Sequence, residues 1–343
     1  MAIFKRVGYA VVGLGRFSQR AILPGFRHCK KAKLVALVSG DRSKARLMAR
    51  KFGAGATYGY DELAACLSDP QVEAVYIATN NASHARYAVE AASAGRHVLC
   101  EKPMANTVHE CRQMVEACRA SNVYLMVAYR KYFDPASLEL KRLITSGKLG
   151  RLKYVHSAFG FICRAWEKAR AWRFDTKREG GGPLPDVGVY CVNTVRWLVG
   201  TEPSEVSAYA WTTDRETFSK VDENIAFRLT FPSGVVAQAT ASFGAAKSSF
   251  LQVHGEKGWA AMNPAYQWEE KRCLFGRIGD RRFEKKFRVI DELALELDAF
   301  ADSIRRQRQP EPNGVQGMRD VAVMEAIYQS AREGRAVPID LPE

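Results

Sequence analysis

Gly8-Tyr9-Ala10-Val11-Val12-Gly13-Leu14-Gly15-Arg16-Phe17-Ser18 decides the reading of the N-terminal half. A short apolar run ends in a glycine turn and passes into a helical pattern that reaches about Cys29. The alternation then repeats. Apolar runs at Leu34-Val35-Ala36-Leu37-Val38, Ala74-Val75-Tyr76-Ile77-Ala78, Val98-Leu99-Cys100 and Tyr124-Leu125-Met126-Val127-Ala128 are separated by helical patterns over 43–52, 63–67, 84–94 and 107–120. Continuous β-branched runs alternating with amphipathic helices predict βαβ units and a doubly wound parallel sheet buried on both faces. Residues 1–129 read as one such α/β domain.

Within that frame Gly13-x-Gly15-x-x-Ser18 is a variant of a dinucleotide fingerprint. The first glycine permits a tight turn, the second lets backbone approach a pyrophosphate, and the amides of a helix N-terminus face the negative charge. Gly13, Leu14, Gly15, Arg16 and Phe17 are the candidate contacts. Ser18, in place of the third glycine, predicts slightly looser packing of helix on strand. The competing reading is a glycine turn with no ligand, and the setting between a strand and a helix favours the dinucleotide. At the end of the second strand stand Ser39, Gly40, Asp41, Arg42, Ser43 and Lys44. An acid ending that strand would bind the ribose 2′-hydroxyl and repel a 2′-phosphate. A serine with two nearby cations, Ser39 with Arg42 and Lys44, suits a phosphate through charge-assisted hydrogen bonds. This favours NADP over NAD, although Asp41 is placed to reach a ribose and Arg42 and Lys44 also read as a solvated first helical turn.

Cys100-Glu101-Lys102-Pro103 follows the fourth apolar run of the same domain. Ligands of open parallel sheets bind just outside the carboxyl ends of the strands, so Lys102 is placed for chemistry beside a cofactor. Past Gly150 the pattern changes. Strands are expected at Leu152 to Phe161, Glu205 to Trp211, Asn224 to Phe231, Val235 to Phe243 and Phe250 to His254, with turn residues at 232–234 and 255–258 making antiparallel hairpins. Helices are expected over 186–199, 291–307 and 315–333. Residues 130–343 thus read as an α+β domain with an open, mostly antiparallel sheet, its last helices packing back on the body.

A chain of 343 residues, 47% hydrophobic and 26% charged, is ordinary for a globular protein of two domains. The net charge of +14 is dispersed among acids, and no basic helix or aromatic-basic stripe points to nucleic acid. The eight cysteines show no C-x-x-C pair and the six histidines no ligand spacing, so buried thiols in a reducing compartment are expected, with no metal site. No apolar stretch approaches the roughly 20 residues that span a bilayer, and the residues before the first strand leave no room for a cleavable signal. The expectation is a cytoplasmic protein.

Asp186-Val187-Gly188-Val189-Tyr190 puts an acid and a phenol at i and i+4, hence on one helical face, with Asn193 continuing it. Gly180-Gly181-Gly182 just upstream lets backbone come close to a ligand or another loop. From the residues alone, Tyr190 reads equally as a helix-face aromatic and Lys102 as a surface lysine.

Taken together, Gly13-x-Gly15, Cys100-Glu101-Lys102-Pro103, Trp172-Arg173, the glycine run followed by Asp186-x-Gly188-x-Tyr190, and Gly314-x-x-Gly317-x-x-Asp320 resemble the glucose-fructose oxidoreductase/inositol dehydrogenase family, Gfo/Idh/MocA. The resemblance runs through nearly the whole chain. It is nearest the glucose-fructose oxidoreductase branch, through Leu37-Val38-Ser39-Gly40-Asp41 and Tyr190, where inositol dehydrogenases carry histidine. It implies a Rossmann domain followed by an open-sheet domain that also forms the oligomer interface, and a cis peptide before Pro103; an open sheet needs cover for its apolar face, so a homodimer or homotetramer is expected. It implies Lys102, Asp186 and Tyr190 acting on a sugar, Trp172 and Arg173 near the nicotinamide, and further cofactor contacts at Thr79, Asn80, Asn81, His84, Glu101, Lys102 and Arg130. Asn80 replaces the usual proline of that turn. The implied activity is NADP-dependent hydride transfer to or from an aldose or related cyclic polyol, with cofactor either exchanging or remaining bound while one sugar reduces it and a second reoxidises it. A nucleotide-sensing protein without turnover is the alternative.

The implied chemistry balances in magnitude. Bringing a tyrosine from its ordinary pKa near 10 to near 7 takes roughly 4 kcal/mol, and an ammonium about 4 Å away contributes on the order of 4 kcal/mol at an effective dielectric of 20. A lysine and an oxidised nicotinamide together would therefore supply most of the shift that makes Tyr190 a usable base. Trp166, Trp172, Tyr266 and Trp268 would suit stacking on a sugar face, and each reads equally as a core or interface aromatic.

Overall fold

A computed structural model describes residues 5–164, 171–268 and 270–343. The chain forms two compact units, one of residues 1–132 with 291–318 and the other of 133–290 with 319–343.

The first unit is built on six parallel strands: β1 (Val7–Val12), β2 (Ala32–Val38), β3 (Ala56–Tyr58), β4 (Ala74–Ile77), β5 (His97–Glu101) and β6 (Leu125–Ala128). Their order is β3-β2-β1-β4-β5-β6, the doubly wound arrangement in which the strand order reverses between β1 and β4. Every residue of β1, β4 and β6 is buried, as uninterrupted apolar runs require when helices cover both faces. The short β3 was not expected, since only three half-buried residues carry it. The helical segment after β1 is also shorter than its pattern. It spans 16–25, with a π-helical turn at Ser18–Ile22, and gives way to turns where Cys29 was expected to close it. Pro24 brings no backbone N–H to the ladder, which explains why regular α-helix does not continue there.

Residues 291–318 belong to this unit. Tyr9 donates to the Leu297 carbonyl over 3.0 Å, and the Asp298 carboxylate accepts from the backbone N–H groups of Lys30, Lys31 and Ala32. A Cβ on Gly317 would come within 2.5 Å of the Val127 side chain, so the late glycine motif serves close packing on β6.

The second unit carries nine strands: β7 (Leu152–Gly160), β8 (Glu205–Trp211), β9 (Asn224–Thr230), β10 (Val236–Ser242), β11 (Ser248–Gly255), β12 (Gly258–Asn263), β13 (Arg272–Ile278), β14 (Arg281–Phe287) and β15 (Val337–Pro338). They lie in the order β14-β13-β12-β11-β7-β10-β9-β8-β15. All pairs are antiparallel except β7 with β10. Hairpins form across both expected turns. Strands β12 to β14 extend the sheet past the expected edge; the signal for the last hairpin was Gly279-Asp280, which closes a two-residue loop with Ile278 opposite Arg281. A helix at Pro135–Thr145, capped by Asp134, also went unread. The expected helix over 186–199 divides into a π-helical turn at Leu184–Gly188 and an α-helix at Val189–Val199. Among the described residues no helix is long and apolar enough to cross a membrane.

Candidate active site

At the carboxyl end of β1, Gly13 adopts φ +101°, and a Cβ there would meet the Ala78 carbonyl oxygen at 2.5 Å. Ser18 is buried and its hydroxyl donates to the Gly13 carbonyl over 2.7 Å. The residue expected merely to loosen packing therefore ties the glycine turn to the first helical residues. Gly15 is exposed, and a Cβ on it would meet nothing within 4 Å. Open space thus lies beside backbone at the start of a helical segment, which fits a pyrophosphate. Arg16 and Phe17 are exposed beside it, whereas the Leu14 side chain is buried and offers the turn its backbone only.

The end of β2 is already wired. Ser39 is buried and its hydroxyl accepts from the Asp41 N–H at 3.2 Å. Asp41 caps the helix Arg42–Phe52 by accepting from the Lys44 N–H at 2.9 Å, which fixes the acid that otherwise argued for a ribose. Arg42 pairs with Glu62 at 3.0 Å and Asp61 at 3.6 Å, and Lys44 pairs with Asp41 at 3.6 Å. These pairs are exposed, so each holds its cation weakly and leaves it available to a phosphate.

At the end of β4, Thr79, Asn80, Asn81 and Ser83 form the entry to the helix Asn81–Ser93. The Ser83 hydroxyl donates to Thr79 Oγ1 over 2.8 Å, Asn80 is the N-cap residue, and Asn81 is buried. His84, only 1% exposed, lies between two loops, with Nδ1 3.1 Å from the Pro103 carbonyl and Nε2 3.3 Å from that of Thr79. Burial, which strips solvent from an imidazolium, outweighs these two carbonyls and lowers its pKa to about 4. A neutral imidazole carries one N–H, so His84 donates to one of these carbonyls and packs between the loop after β4 and the loop after β5.

The Lys102-Pro103 peptide is cis, as the resemblance implied. Lys102 is half-buried, and its N–H lies 3.2 Å from Glu101 Oε2. Glu101 also accepts from the Tyr76 hydroxyl at 2.7 Å. Arg130 is buried against Glu292, which holds Lys131 as well at 3.2 Å. The guanidinium named as a cofactor contact is therefore committed to an internal ion pair. Tyr76, Glu292 and Glu296 were missed; the signal lay in two acids, 292 and 296, on the same helical face as Leu293, Leu297 and Phe300.

In the second unit Arg173 Nε donates to Asp186 Oδ2 over 2.6 Å, and the guanidinium carbon lies 4.1 Å from the Trp172 ring centroid. Trp172 is 42% exposed. Asp186 lies in the π-helical turn and Tyr190 in the α-helix that follows, so the two do not share a regular α-helical face. Tyr190 is 8% exposed and packs edge-on against Phe159 and beside Tyr266. Tyr266 is fully buried, its hydroxyl 2.7 Å from Ser157 Oγ, and so is a core aromatic with no face for a sugar. Trp268 is half-buried, and Trp166 falls outside the described residues. Asn193 does not extend the site: its amide donates to Asp320 Oδ2 over 2.8 Å, and Asp320 also pairs with Arg196. The glycine run takes φ of +75°, +72° and +76°, with Gly181 packed on Thr176 and Val221 and its carbonyl accepting from Tyr328. Its glycines serve that packing.

Residues 7–129 match the sequence model of an oxidoreductase family with an NAD-binding Rossmann fold, and residues 137–261 match a GFO/IDH/MocA C-terminal domain. The chain is 31% identical to a D-xylose 1-dehydrogenase [NADP(+)] of Haloarcula marismortui over 337 residues, covering 97% of this chain and 93% of that enzyme. It is 34% identical over 240 residues to a trans-1,2-dihydrobenzene-1,2-diol dehydrogenase of Mus musculus, covering 69% of this chain and 67% of the other. An aldose-aldose oxidoreductase from Caulobacter crescentus, solved with glycerol, superposes with a TM-score of 0.93 at 34% identity, covering 98% of this chain and 100% of that one.

Proposed function

The chain belongs to the Gfo/Idh/MocA oxidoreductase family, and from that premise we propose that it transfers hydride between a sugar hydroxyl carbon and NADP. The observation that carries the reading is the sheet end of the first unit, where a glycine turn with open space at Gly15, the cations Arg42 and Lys44, and Lys102 follow β1, β2 and β5. The NADP-dependent xylose dehydrogenase relative supports both cofactor and substrate class.

Bound NADP would supply the hydride acceptor, held by backbone at Gly13 to Phe17 and by Ser39, Arg42 and Lys44 at its 2′-phosphate. Oxidation of an alcohol also needs a base for the hydroxyl proton. Tyr190 takes that proton, Lys102 favours the phenolate by its positive charge, and Asp186, aimed by Arg173, accepts from a neighbouring sugar hydroxyl and fixes the ring. The half-buried Arg173–Asp186 pair supports this, because an acid already held in place loses little freedom on binding. One face of the nine-stranded sheet carries Tyr154, Phe250 and Tyr209 exposed, with Tyr154 stacked on His254 at 4.2 Å. That open aromatic face supports assembly with further copies of the chain as a dimer or tetramer.

The aldose-aldose oxidoreductase likeness supports a second version, in which NADP stays bound and a second sugar reoxidises it. A panel of aldoses with NADP and with NAD, read by NADPH absorbance, tests both. Sugar-dependent NADPH accumulation supports the exchanging dehydrogenase. Consumption of one sugar with stoichiometric reduction of another and no accumulation supports the bound-cofactor version. Bound NADP that no sugar reduces would overturn the reading.

A further inference from the structure

Tyr76 Oη lies 2.7 Å from Glu101 Oε1 and 3.4 Å from Glu296 Oε1. A phenol has one proton to donate, so it serves one of these carboxyls. The other contact is a hydrogen bond only when that carboxyl brings a proton of its own. Glu101 has other support for its charge: the Lys102 N–H, the neighbouring Lys102 ammonium and Arg130. Burial raises the Glu101 carboxyl too, but among the described residues Glu296 has only Arg130 and Tyr76 against its own burial and lacks the Lys102 contacts. It is 0% exposed, and its Oε2 finds no hydrogen-bond partner among the described residues.

The groups facing Glu296 come from five places, the first being the buried Tyr9 on β1. Tyr76 is on β4, Glu101 ends β5, Arg130 follows β6, and Glu292 lies one turn earlier on the helix Glu292–Arg305. Both cations of the β6 end pair with Glu292, and of the two Arg130 also pulls on Glu101 and Glu296. Burial first, and the charge of Glu101 next, push the Glu296 carboxyl well above the usual range against the opposing pull of Arg130. Two buried carboxyls this close do not both ionise readily, and one proton between them is the cheaper state.

We propose that Glu296, Tyr76 and Glu101 form a two-carboxyl unit holding one acidic proton, with Glu296 the neutral acid, and that Glu296 is thereby a positioning residue for Lys102. The Glu296 hydroxyl donates to Tyr76 Oη, and Tyr76 donates to Glu101. Glu101 is left as the carboxylate beside Lys102. No proton is transferred in this arrangement; the chain sets where the negative charge rests. The positioning role rests on the assignment of Lys102 to the reaction, whereas the location of the proton does not.

Infrared difference spectra of the whole protein at neutral pH, wild type against Glu296→Gln, decide the first part. Loss of a protonated-carboxyl C=O stretch is expected, with the same band displaced in Tyr76→Phe. Loss of carboxylate bands instead would overturn the proposal. The pH profile of kcat decides the second part. Glu296→Gln keeps a donor toward Tyr76 and is expected to keep the acid limb. Glu296→Leu removes the donor and is expected to move that limb by about one pH unit. Equal profiles for Gln and Leu would overturn the positioning role. Should Glu296→Leu fail to fold, Tyr76→Phe cuts the same chain and is expected to give the same displacement, its absence counting against the role. A protein that reduces no NADP with any sugar would defeat the functional reading, and the infrared measurement would still locate the proton.

Discussion

Arg173 Nε donates to Asp186 Oδ2 over 2.6 Å, and its guanidinium carbon lies 4.1 Å from the Trp172 ring centroid and 5.2 Å from that of Phe161. The arginine is thus oriented by aromatic rings and a carboxylate together. Only a planar cation satisfies both at once. Arg173→Ala is expected to lower kcat/KM for the sugar by on the order of tenfold to a hundredfold, and Arg173→Lys to recover only part of it, because misplacing a substrate-orienting group costs about that much. Steady-state kinetics at saturating NADP check this; unchanged kcat/KM in Arg173→Ala would remove Asp186 and its partner from the site.

Tyr190→Phe and Lys102→Ala are each expected to reduce kcat by roughly 10²- to 10⁴-fold, the usual worth of a positioned acid or base. Neither should abolish cofactor binding, which rests chiefly on the glycine turn after β1 and the cations after β2. Turnover assays paired with fluorescence titration of NADPH separate the two effects.

Gly13 and Gly15 should fail differently. An alanine at 13 would be forced into φ +101° against the Ala78 carbonyl, so Gly13→Ala is expected to cost at least about 1 kcal/mol of stability. A side chain at 15 points into open space. Gly15→Val should therefore keep the melting temperature while weakening NADP binding at least about tenfold, the worth of one lost charge-assisted hydrogen bond. Thermal melts with and without NADP make the comparison.

Arg42→Ala is expected to weaken NADP by about ten- to a hundredfold and to leave NAD little changed, since only the 2′-phosphate calls on that cation. Equal losses for both cofactors would place Arg42 in the fold of the helix start, where Glu62 already meets it at 3.0 Å.

Stability should fall in acid through the buried His84 and the half-buried His97. Burial lowers the pKa of His84 and of His97 to about 4 from an ordinary value near 6.5. The Tyr124 N–H donates to His97 Nδ1 over 3.0 Å, which requires that nitrogen to be unprotonated. Because the folded values lie below the unfolded ones, the unfolded chain binds protons first as pH drops. The contribution is complete above pH 6.5 and is lost as pH falls toward 4, by up to about 3 kcal/mol for His84. Melting curves between pH 7 and 4 are expected to show this decline, with a shallower slope in His84→Gln.

Much of this molecule is written locally. The apolar runs at 8–12, 34–38, 74–78, 98–100 and 124–128 carry their own period, and strand–turn–helix order with Gly13 and Gly15 places a cradle at one end of a parallel sheet. The hairpins at 232–234 and 255–258 announce themselves through turn chemistry. These features depend on neighbours in sequence, and so they are legible without coordinates. The pairing of polar groups is different. That Ser18 closes the glycine turn, that Asp41 caps its helix, that Arg130 is consumed by Glu292 and that Asn193 answers Asp320 depend on which residues folding brings together, some of them more than 100 positions apart. Buried hydrogen bonds are obligatory, but their partners are chosen by packing. The sequence by itself therefore determined the sheet, the cradle and the identities of Lys102, Asp186 and Tyr190 as candidates. Only the tertiary structure decided which charged groups remain for chemistry, because a charge removed from water must find its counterpart wherever the fold places one.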